Sequence, residues 1–227
     1  MKKILFIFLL AIAAIRTDAQ SDSVYAELGV NVIRIVNLGL GSQSLNHDTW
    51  NPYMLTANFN YKRIGLRLGI GQTNRSNTEL PVDANGMSTT KMDTTQTDFR
   101  IGLGWEVALA SKWTFKFGVD YYTAKSSNTF ETKYMDEADQ TIELNRKRVV
   151  EESGFSPFAY VQYHITPRVS VGTELLWRFG TYTAEDGEVS TTTPEIGDPL
   201  EIDITRKYEG KKSGIMAPTA LFLNFRF

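Results

Sequence analysis

The chain has 227 residues, and its 24 Lys and Arg against 26 Asp and Glu give a formal net charge of −2. This weakly acidic balance offers no support for a nucleic-acid partner. Because the sequence contains no cysteine, it can form neither a disulfide framework nor a thiolate metal site.

The first 19 residues have the pattern of a secretory signal peptide. Lys2 and Lys3 precede an apolar run from Ile4 to Ile15, and the small residue Ala19 follows shortly after. Such a run is shorter than the roughly 20 apolar residues of a transmembrane helix. We therefore expect cleavage after Ala19 and a single exported domain over residues 20–227. A buried N-terminal strand or helix is the alternative.

Behind this segment, apolar residues alternate with a period of two in eight runs, which is typical of β-strands with two unlike faces. The clearest example lies between Asp98 and Asp120, where odd positions are mainly aliphatic or aromatic and even positions are charged, small or polar. In chain order the runs are Val24–Val36, Tyr53–Tyr61, Ile64–Gly71, Asp98–Leu109, Trp113–Asp120, Phe155–Ile165, Val169–Phe179 and Ile215–Phe227.

The connections between the runs alternate between long and short. The three short ones are Lys62-Arg63, Ala110–Lys112 and Thr166–Arg168, and the four long ones are Asn37–Pro52, Gln72–Thr97, Thr123–Ser153 and Thr181–Ser213. A soluble sandwich has no reason to place all its short turns at one end. An outer-membrane barrel does, because it has short periplasmic turns, long extracellular loops and an even number of strands.

Aromatic residues gather at the ends of the runs, as in the two interfacial girdles of membrane barrels. Tyr53, Phe99 and Tyr121 lie toward the long loops, and Trp105 and Trp113 lie near the short turns. The pattern predicts an all-β fold, an eight-stranded antiparallel up-and-down transmembrane β-barrel with four long extracellular loops. A soluble sandwich or lipocalin-like fold is the alternative.

Ten charged residues fall on the inward face of the predicted barrel, and five are acidic and five are basic. They are Glu27, Arg67, Asp98, Arg100, Glu106, Lys116, Asp120, Glu174, Arg178 and Arg226. A charge in a narrow lumen is costly unless it is paired, and eight strands enclose little more than their own side chains. We therefore expect a structural network of ion pairs that fills the interior. A narrow gated channel is the alternative.

The two histidines are the candidates for a general base. His164 faces inward, where a hydrogen-bonded structural role is expected. His47 lies in the first long loop beside Asp48, with Ser42 and Ser44 nearby. Neighbouring positions do not oblige His47 and Asp48 to face each other, and no serine lies in a recognisable catalytic context. We predict no catalytic, cofactor-binding or metal site, with a lipid-modifying enzyme as the alternative.

The signal peptide, the alternating runs and the ending Leu221-Phe-Leu-Asn-Phe-Arg-Phe227 together resemble the small outer-membrane β-barrel proteins. These are the OmpA-transmembrane and OmpX-like families and the barrel-only proteins of Bacteroidetes-type bacteria. Tyr160–Arg178 resembles a periplasmic hairpin of such barrels. The resemblance implies that Leu223, Phe225 and Phe227 form the signal that the barrel-assembly machinery recognises.

The resemblance also implies location in a bacterial outer membrane, in contact with its lipid or lipopolysaccharide. It specifies architecture better than molecular function. The function that we expect is non-enzymatic: envelope structure, with adhesion or binding of an extracellular ligand through the long loops.

Overall fold

The computed structural model describes residues 24–39, 51–79, 89–135, 140–194 and 198–227. The predicted signal peptide, and His47 with Asp48, lie outside these residues. Within them the strands are β1 Val24–Asn31, β2 Leu55–Tyr61, β3 Ile64–Glu79, β4 Thr89–Ala110, β5 Trp113–Met135, β6 Thr141–His164, β7 Val169–Thr193, β8 Leu200–Met216 and β9 Phe222–Arg226, with one helix, α1 Val32–Gly39.

The strand pairings are antiparallel and close on themselves. Strands β1 to β7 pair in chain order, β7 pairs with β9, and β9 pairs with β1. Strand β8 also pairs with β7, but farther from the short turns. Because β8 and β9 share one neighbour, they occupy a single position in a closed ring of strands. The predictions of an all-β fold and of antiparallel pairing are confirmed.

The prediction of one continuous last strand from Ile215 to Phe227 is wrong. The five residues Ala217–Leu221 lie opposite the three residues Thr173–Leu175 of β7, so the ladder is interrupted between Met216 and Phe222. Pro218 has no N–H to donate to a ladder. The N–H of Thr219 instead bonds to the carbonyl of Ala217 at 2.7 Å, which closes a local turn.

The first predicted strand is also too long, because the chain becomes helical after Asn31. The side-chain oxygen of Asn31 accepts a hydrogen bond from the backbone N–H of Arg34 at 3.2 Å. This bond to the third helical residue is a helix N-cap, which the sequence signals only by an asparagine within an apolar run. Strand β2 likewise begins at Leu55 rather than at Tyr53.

Three of the predicted long loops are mostly strand, which corrects the prediction of four long loops. The residues from Gln72 to Thr97, from Thr123 to Ser153 and from Thr181 to Ser213 largely extend the strands of the ring, so that β4 to β7 reach 22 to 25 residues. Threonine, valine and tyrosine favour strands. Because polar and charged residues lie on both faces of these stretches, they lack the strict apolar period of two that reveals a strand in sequence.

These extensions form a second region, which we call the protruding sheet. It consists of residues 72–79, 89–97, 123–135, 141–153, 181–193 and 200–213. Within the described part of the chain, β3 and β8 each pair with a single neighbour in this region, so they form its two edges. The molecule therefore has a closed ring at one end and an open sheet at the other.

Candidate functional site

The outside of the ring is apolar and exposed. Leu103 is 61% exposed and Phe155 is 60% exposed. Other outward residues that are at least 40% exposed are Phe59, Ile64, Leu66, Ile70, Phe99, Ile101, Trp105, Trp113, Phe117, Val119, Tyr121, Leu175, Trp177, Phe179, Ile215, Leu221 and Phe225. We call this surface the apolar belt. Monomeric soluble proteins rarely expose a contiguous apolar patch of more than a few hundred Å², so the belt needs an apolar environment.

Aromatic pairs lie at both margins of the belt. Trp113 and Tyr163 pack with ring centroids 4.9 Å apart beside the short turns. Tyr121 and Phe155 pack at 5.7 Å at the opposite margin. Amphipathic rings at two levels fit the two interfaces of a membrane. Tyr53, which the sequence placed in the margin near the long loops, is instead 1% exposed and lies inside the ring.

The centre of the ring interior holds two carboxylates and two guanidinium groups. Glu174 accepts hydrogen bonds from Arg100 Nη1 at 2.8 and 2.9 Å, from Arg67 and from Asn51 Nδ2 at 2.8 Å. Asp120 lies 3.4 Å from Arg100 and 3.7 Å from Arg67. Because β3 and β7 lie on opposite sides of the ring, the pair between Arg67 and Glu174 crosses the interior.

A second cluster lies near the short turns. Lys116 Nζ donates to Glu27 at 2.6 Å and lies 3.4 Å from Glu106. The hydroxyl of Tyr25 donates to Glu106, and the guanidinium carbon of Arg226 lies 3.6 Å from the centre of the Tyr25 ring. The interior is thus closed by charged groups at this end as well.

A third cluster lies toward the protruding sheet. Arg178 Nη2 donates to the Tyr53 hydroxyl at 3.1 Å and lies 3.4 Å from Asp98 Oδ1. Its guanidinium carbon is 4.4 Å from the centre of the Tyr122 ring. The side chain of Arg34 from α1 reaches the same end, where it bonds to the hydroxyl of Thr73.

The ten charged residues predicted to face inward all lie in the ring interior. Eight are buried, and Glu106 and Arg226, at the short-turn end, are partly exposed. The sequence did not reveal the inward roles of Arg34, Asn51 and Tyr53. Asn51 lies in a predicted loop. Arg34 and Tyr53 fall in the predicted runs Val24–Val36 and Tyr53–Tyr61 but outside the strands that form there, so the alternation does not give their direction.

A cavity of about 10 Å³ separates the central cluster from the short-turn cluster. Its lining consists of Thr56, Asn58, Arg67, Arg100, Lys116, Tyr160 and Phe222. This is roughly the space that one buried water needs. An ion would have to pass the charged clusters on both sides of it.

Among the described residues, the candidate general base His164 lies at the short-turn end of the ring. The Nε2 atom of His164 lies 2.8 Å from the hydroxyl of Thr114, a contact that holds the imidazole within the interior. Among the described residues, no group of three or more His, Cys, Asp or Glu side chains is arranged to hold a metal ion. No helix in the described ranges has the length and apolar character required to cross a membrane.

The outer face of the protruding sheet, which continues the belt side of each strand, is charged. Lys125 pairs with Glu151 and Lys133 with Glu143, each at 2.6 Å. These side chains are about half exposed or more, so the pairs are solvated. On β4, a hydrogen bond from Lys91 lowers the pKa of Asp93.

The inner face, which continues the ring interior, carries apolar residues among its charges. Leu200, Ile202 and Ile204 of β8 are 63%, 51% and 42% exposed, and Met92 of β4 is 46% exposed. Ion pairs such as Arg146 with Glu188, at 2.9 Å, lie between them. The sheet is therefore amphipathic, and its apolar residues are concentrated toward the β8 edge.

No protein-family model matches the chain, and no curated protein is similar to it in sequence. Among solved structures, the chain is similar to that described as the crystal structure of Acinetobacter baumannii CarO, with a TM-score of 0.36 and 13% sequence identity. The similarity covers 90% of this chain and 98% of that chain.

Proposed function

We propose that this chain is a non-enzymatic outer-membrane β-barrel protein that carries an interaction surface outside the cell. The observation that supports this most is the apolar belt around a ring whose interior is filled with ion pairs. A soluble fold places its apolar residues inside and its charges outside. The opposite arrangement, with lipid-facing residues alternating with polar inward residues, is that of a membrane barrel.

The height of the belt fits this placement. From Phe99 to Leu109 there are ten residue steps along β4, which span about 34 Å along a strand. With strands tilted by about 45°, the height becomes about 24 Å, close to the roughly 25 Å apolar band of such barrels. The ring has eight strand positions, because β8 and β9 share one of them. This number fits an eight-stranded up-and-down barrel.

The orientation follows from the two ends of the ring. The short turns Lys62-Arg63 and Ala110–Lys112, together with Val24 and Phe227, lie at one end, which we assign to the periplasm. The protruding sheet then lies outside the cell. The predicted signal peptide supports export, and the exposed side chain of Phe225 in the last strand suits an assembly signal.

A channel is less well supported, because the ion pairs of Glu174 and Lys116 cross the interior at two levels. An enzyme is also less well supported, since His164 is hydrogen-bonded to Thr114 inside the ring. We therefore assign the interior a structural role and the protruding sheet the interaction role.

Heat modifiability combined with surface proteolysis tests this proposal. Unboiled protein should migrate faster in an SDS gel than boiled protein, because a lipid- or detergent-embedded barrel stays folded in SDS. Protease added to intact cells should remove parts of the protruding sheet and leave the ring protected. A protein that is monomeric and water-soluble without detergent, or one digested through the ring, would contradict the proposal. In planar bilayers we expect no conductance of porin size.

A further inference from the structure

The β8 edge of the protruding sheet is open to pairing. Strand β8 is 17 residues long and, in the part of the chain that the structure describes, it is hydrogen-bonded only to β7. An edge strand presents unpaired N–H and C=O groups to any strand of matching pattern. The other edge, from Gln72 to Glu79 of β3, contains only polar and charged residues, whereas β8 adds the exposed side chains of Leu200, Ile202 and Ile204.

The sequence of β8 is complementary to itself. If two copies pair antiparallel about Ile204, Glu201 of each copy lies opposite Lys207 of the other, and Leu200 lies opposite Tyr208. In antiparallel strands, directly opposed residues point to the same face, and opposite charges and apolar pairs there are stabilising.

The two neighbouring registers of this strand pair place like charges opposite each other. Moving the centre to Asp203 places Asp203 opposite Asp203 of the other copy. Moving it to Thr205 places Asp203 opposite Lys207 but also Glu201 opposite Glu209. Like charges in direct opposition are destabilising. The charges therefore favour the register centred on Ile204.

We propose that β8 pairs, antiparallel and centred on Ile204, with β8 of a second copy of this chain. The proposal rests on the outer-membrane placement argued above, and it names the partner of the interaction surface. The pair would join two protruding sheets into one continuous sheet and extend the exposed inner-face stripe of Leu200, Ile202 and Ile204 across both copies.

The geometry of this pair requires the two copies to lie in facing membranes. When a sheet continues across an antiparallel strand pair, the two-fold axis is perpendicular to the sheet. The protruding strands rise from the membrane, so this axis lies near the membrane plane and turns the second copy upside down. Two barrels in one membrane would instead cross their β8 strands at about 70–90°, because each is tilted by about 35–45°.

The distance between the membranes follows from the sequence. Ile204 lies 11 residues before Ile215, at the margin of the belt. This corresponds to about 37 Å along a strand and, with the usual tilt, to about 26–30 Å above the membrane. Two copies paired at Ile204 would hold their membranes roughly 55 Å apart, which makes the interaction one between cells.

Nanodiscs that each hold one barrel test this proposal. We expect two-disc complexes to appear in mass photometry and analytical ultracentrifugation as the concentration rises. Glu201→Lys alone or Lys207→Glu alone should weaken the pairing by about tenfold or more, because each places like charges at two symmetry-related positions. A mixture of the two single variants, and the double variant by itself, should pair as the wild type does.

Two controls match these substitutions. Lys133→Glu and Glu143→Lys change the same charges on the same face, but at a pair between two interior strands of the sheet, and should leave two-disc complexes unchanged. Lys207 also pairs with Glu185 of its own chain at 3.2 Å. The mixture separates that local contact from the proposed one, since it restores pairing only if Lys207 meets Glu201 of another copy.

Three outcomes would overturn the self-pairing. These are wild-type discs that stay single, single variants that pair as the wild type does, and a mixture of the two single variants that does not restore pairing. If the same protein is heat-modifiable while its discs stay single, self-pairing fails and the outer-membrane placement stands. A protein that does not fold into a heat-modifiable form would instead contradict the placement.

Discussion

The ring and the protruding sheet are built from the same strands but face different surroundings. On β5, Phe117, Val119 and Tyr121 point outward in the ring, and Thr123 and Lys125 point the same way beyond it. The register with β4 is unbroken across this change. The character of the outer face therefore changes while the backbone pairing does not. The border between the ring and the protruding sheet lies where outward aromatic residues are followed by outward hydroxyl and charged residues.

Ion pairs in the two regions have similar lengths but different environments. Arg100 and Glu174 are 2.8 Å apart, with side chains 1% and 0% exposed, whereas Lys125 and Glu151 are 2.6 Å apart, with side chains 63% and 58% exposed. Removing one partner of a buried pair leaves an uncompensated charge, while an exposed charge is solvated by water. Although the two ion pairs have similar lengths, we therefore expect the loss of a partner to cost much more stability in the buried pair than in the exposed one.

Replacing Glu174 by alanine should have the largest effect on stability. The substitution leaves the buried guanidinium groups of Arg67 and Arg100 without their shared carboxylate. We expect the free energy of unfolding to fall by about 3–5 kcal/mol, the range for breaking a buried ion pair. Urea unfolding in lipid vesicles, followed by tryptophan fluorescence, measures it. A loss below about 1 kcal/mol, typical of surface pairs, would show that the interior is well hydrated.

A positive charge introduced on the outer face should affect stability differently in the ring and in the protruding sheet. Leu103 lies in the middle of the belt on β4, and Thr95 points the same way on the same strand in the protruding sheet. Leu103→Arg should reduce the free energy of unfolding in vesicles by about 2–4 kcal/mol, because in the proposed placement the arginine would lie in lipid. Thr95→Arg, its control, should have little effect. Equal effects of the two substitutions would contradict the border that we place between these positions.

Glycines provide a third comparison of the same kind. A Cβ added to Gly118, in the ring, would lie 2.1 Å from the carbonyl oxygen of Leu103 and 2.7 Å from the Cα of Gly104, whereas one added to Gly187, in the protruding sheet, would lie 3.8 Å from the nearest atom. Gly118→Ala should therefore lower the free energy of unfolding by about 1–3 kcal/mol. Gly187→Ala should be neutral or stabilising by up to about 1 kcal/mol. Vesicle unfolding of both variants checks this, and equal losses would contradict it.

The sequence predicts the ring better than it predicts the protruding sheet, for a physical reason. In the ring, an apolar outer surface and a crowded polar interior make residues such as Leu103 and Arg100 alternate strictly. In the protruding sheet, polar residues lie on both faces, so the residues around Thr95 and Lys125 do not alternate strictly and the sequence predicts loops there. Register and pairing there depend on contacts between strands distant in sequence, which a local pattern does not contain.

Within the interior, the inward position of Glu174 follows from strand parity, but its partners do not. Arg67 and Arg100 lie on strands far from it in the chain, and the contact depends on how the ring closes. The predicted runs extend over Tyr53 and Arg34, but β2 begins after Tyr53 and β1 ends before Arg34, so the period of two does not give the direction of either side chain.

The smallest effect is expected for the exposed pair between Lys125 and Glu151. Lys125→Ala should change the free energy of unfolding by about 0.5 kcal/mol or less, because water solvates the remaining carboxylate and salt screens the attraction. A double-mutant cycle with Glu151→Ala in vesicles, at low and at high salt, isolates the coupling between the two side chains. A coupling above about 1 kcal/mol that persists at high salt would show that water does not reach the outer face. The outer face of the protruding sheet would then have to be covered, which the proposed position outside the membrane does not predict.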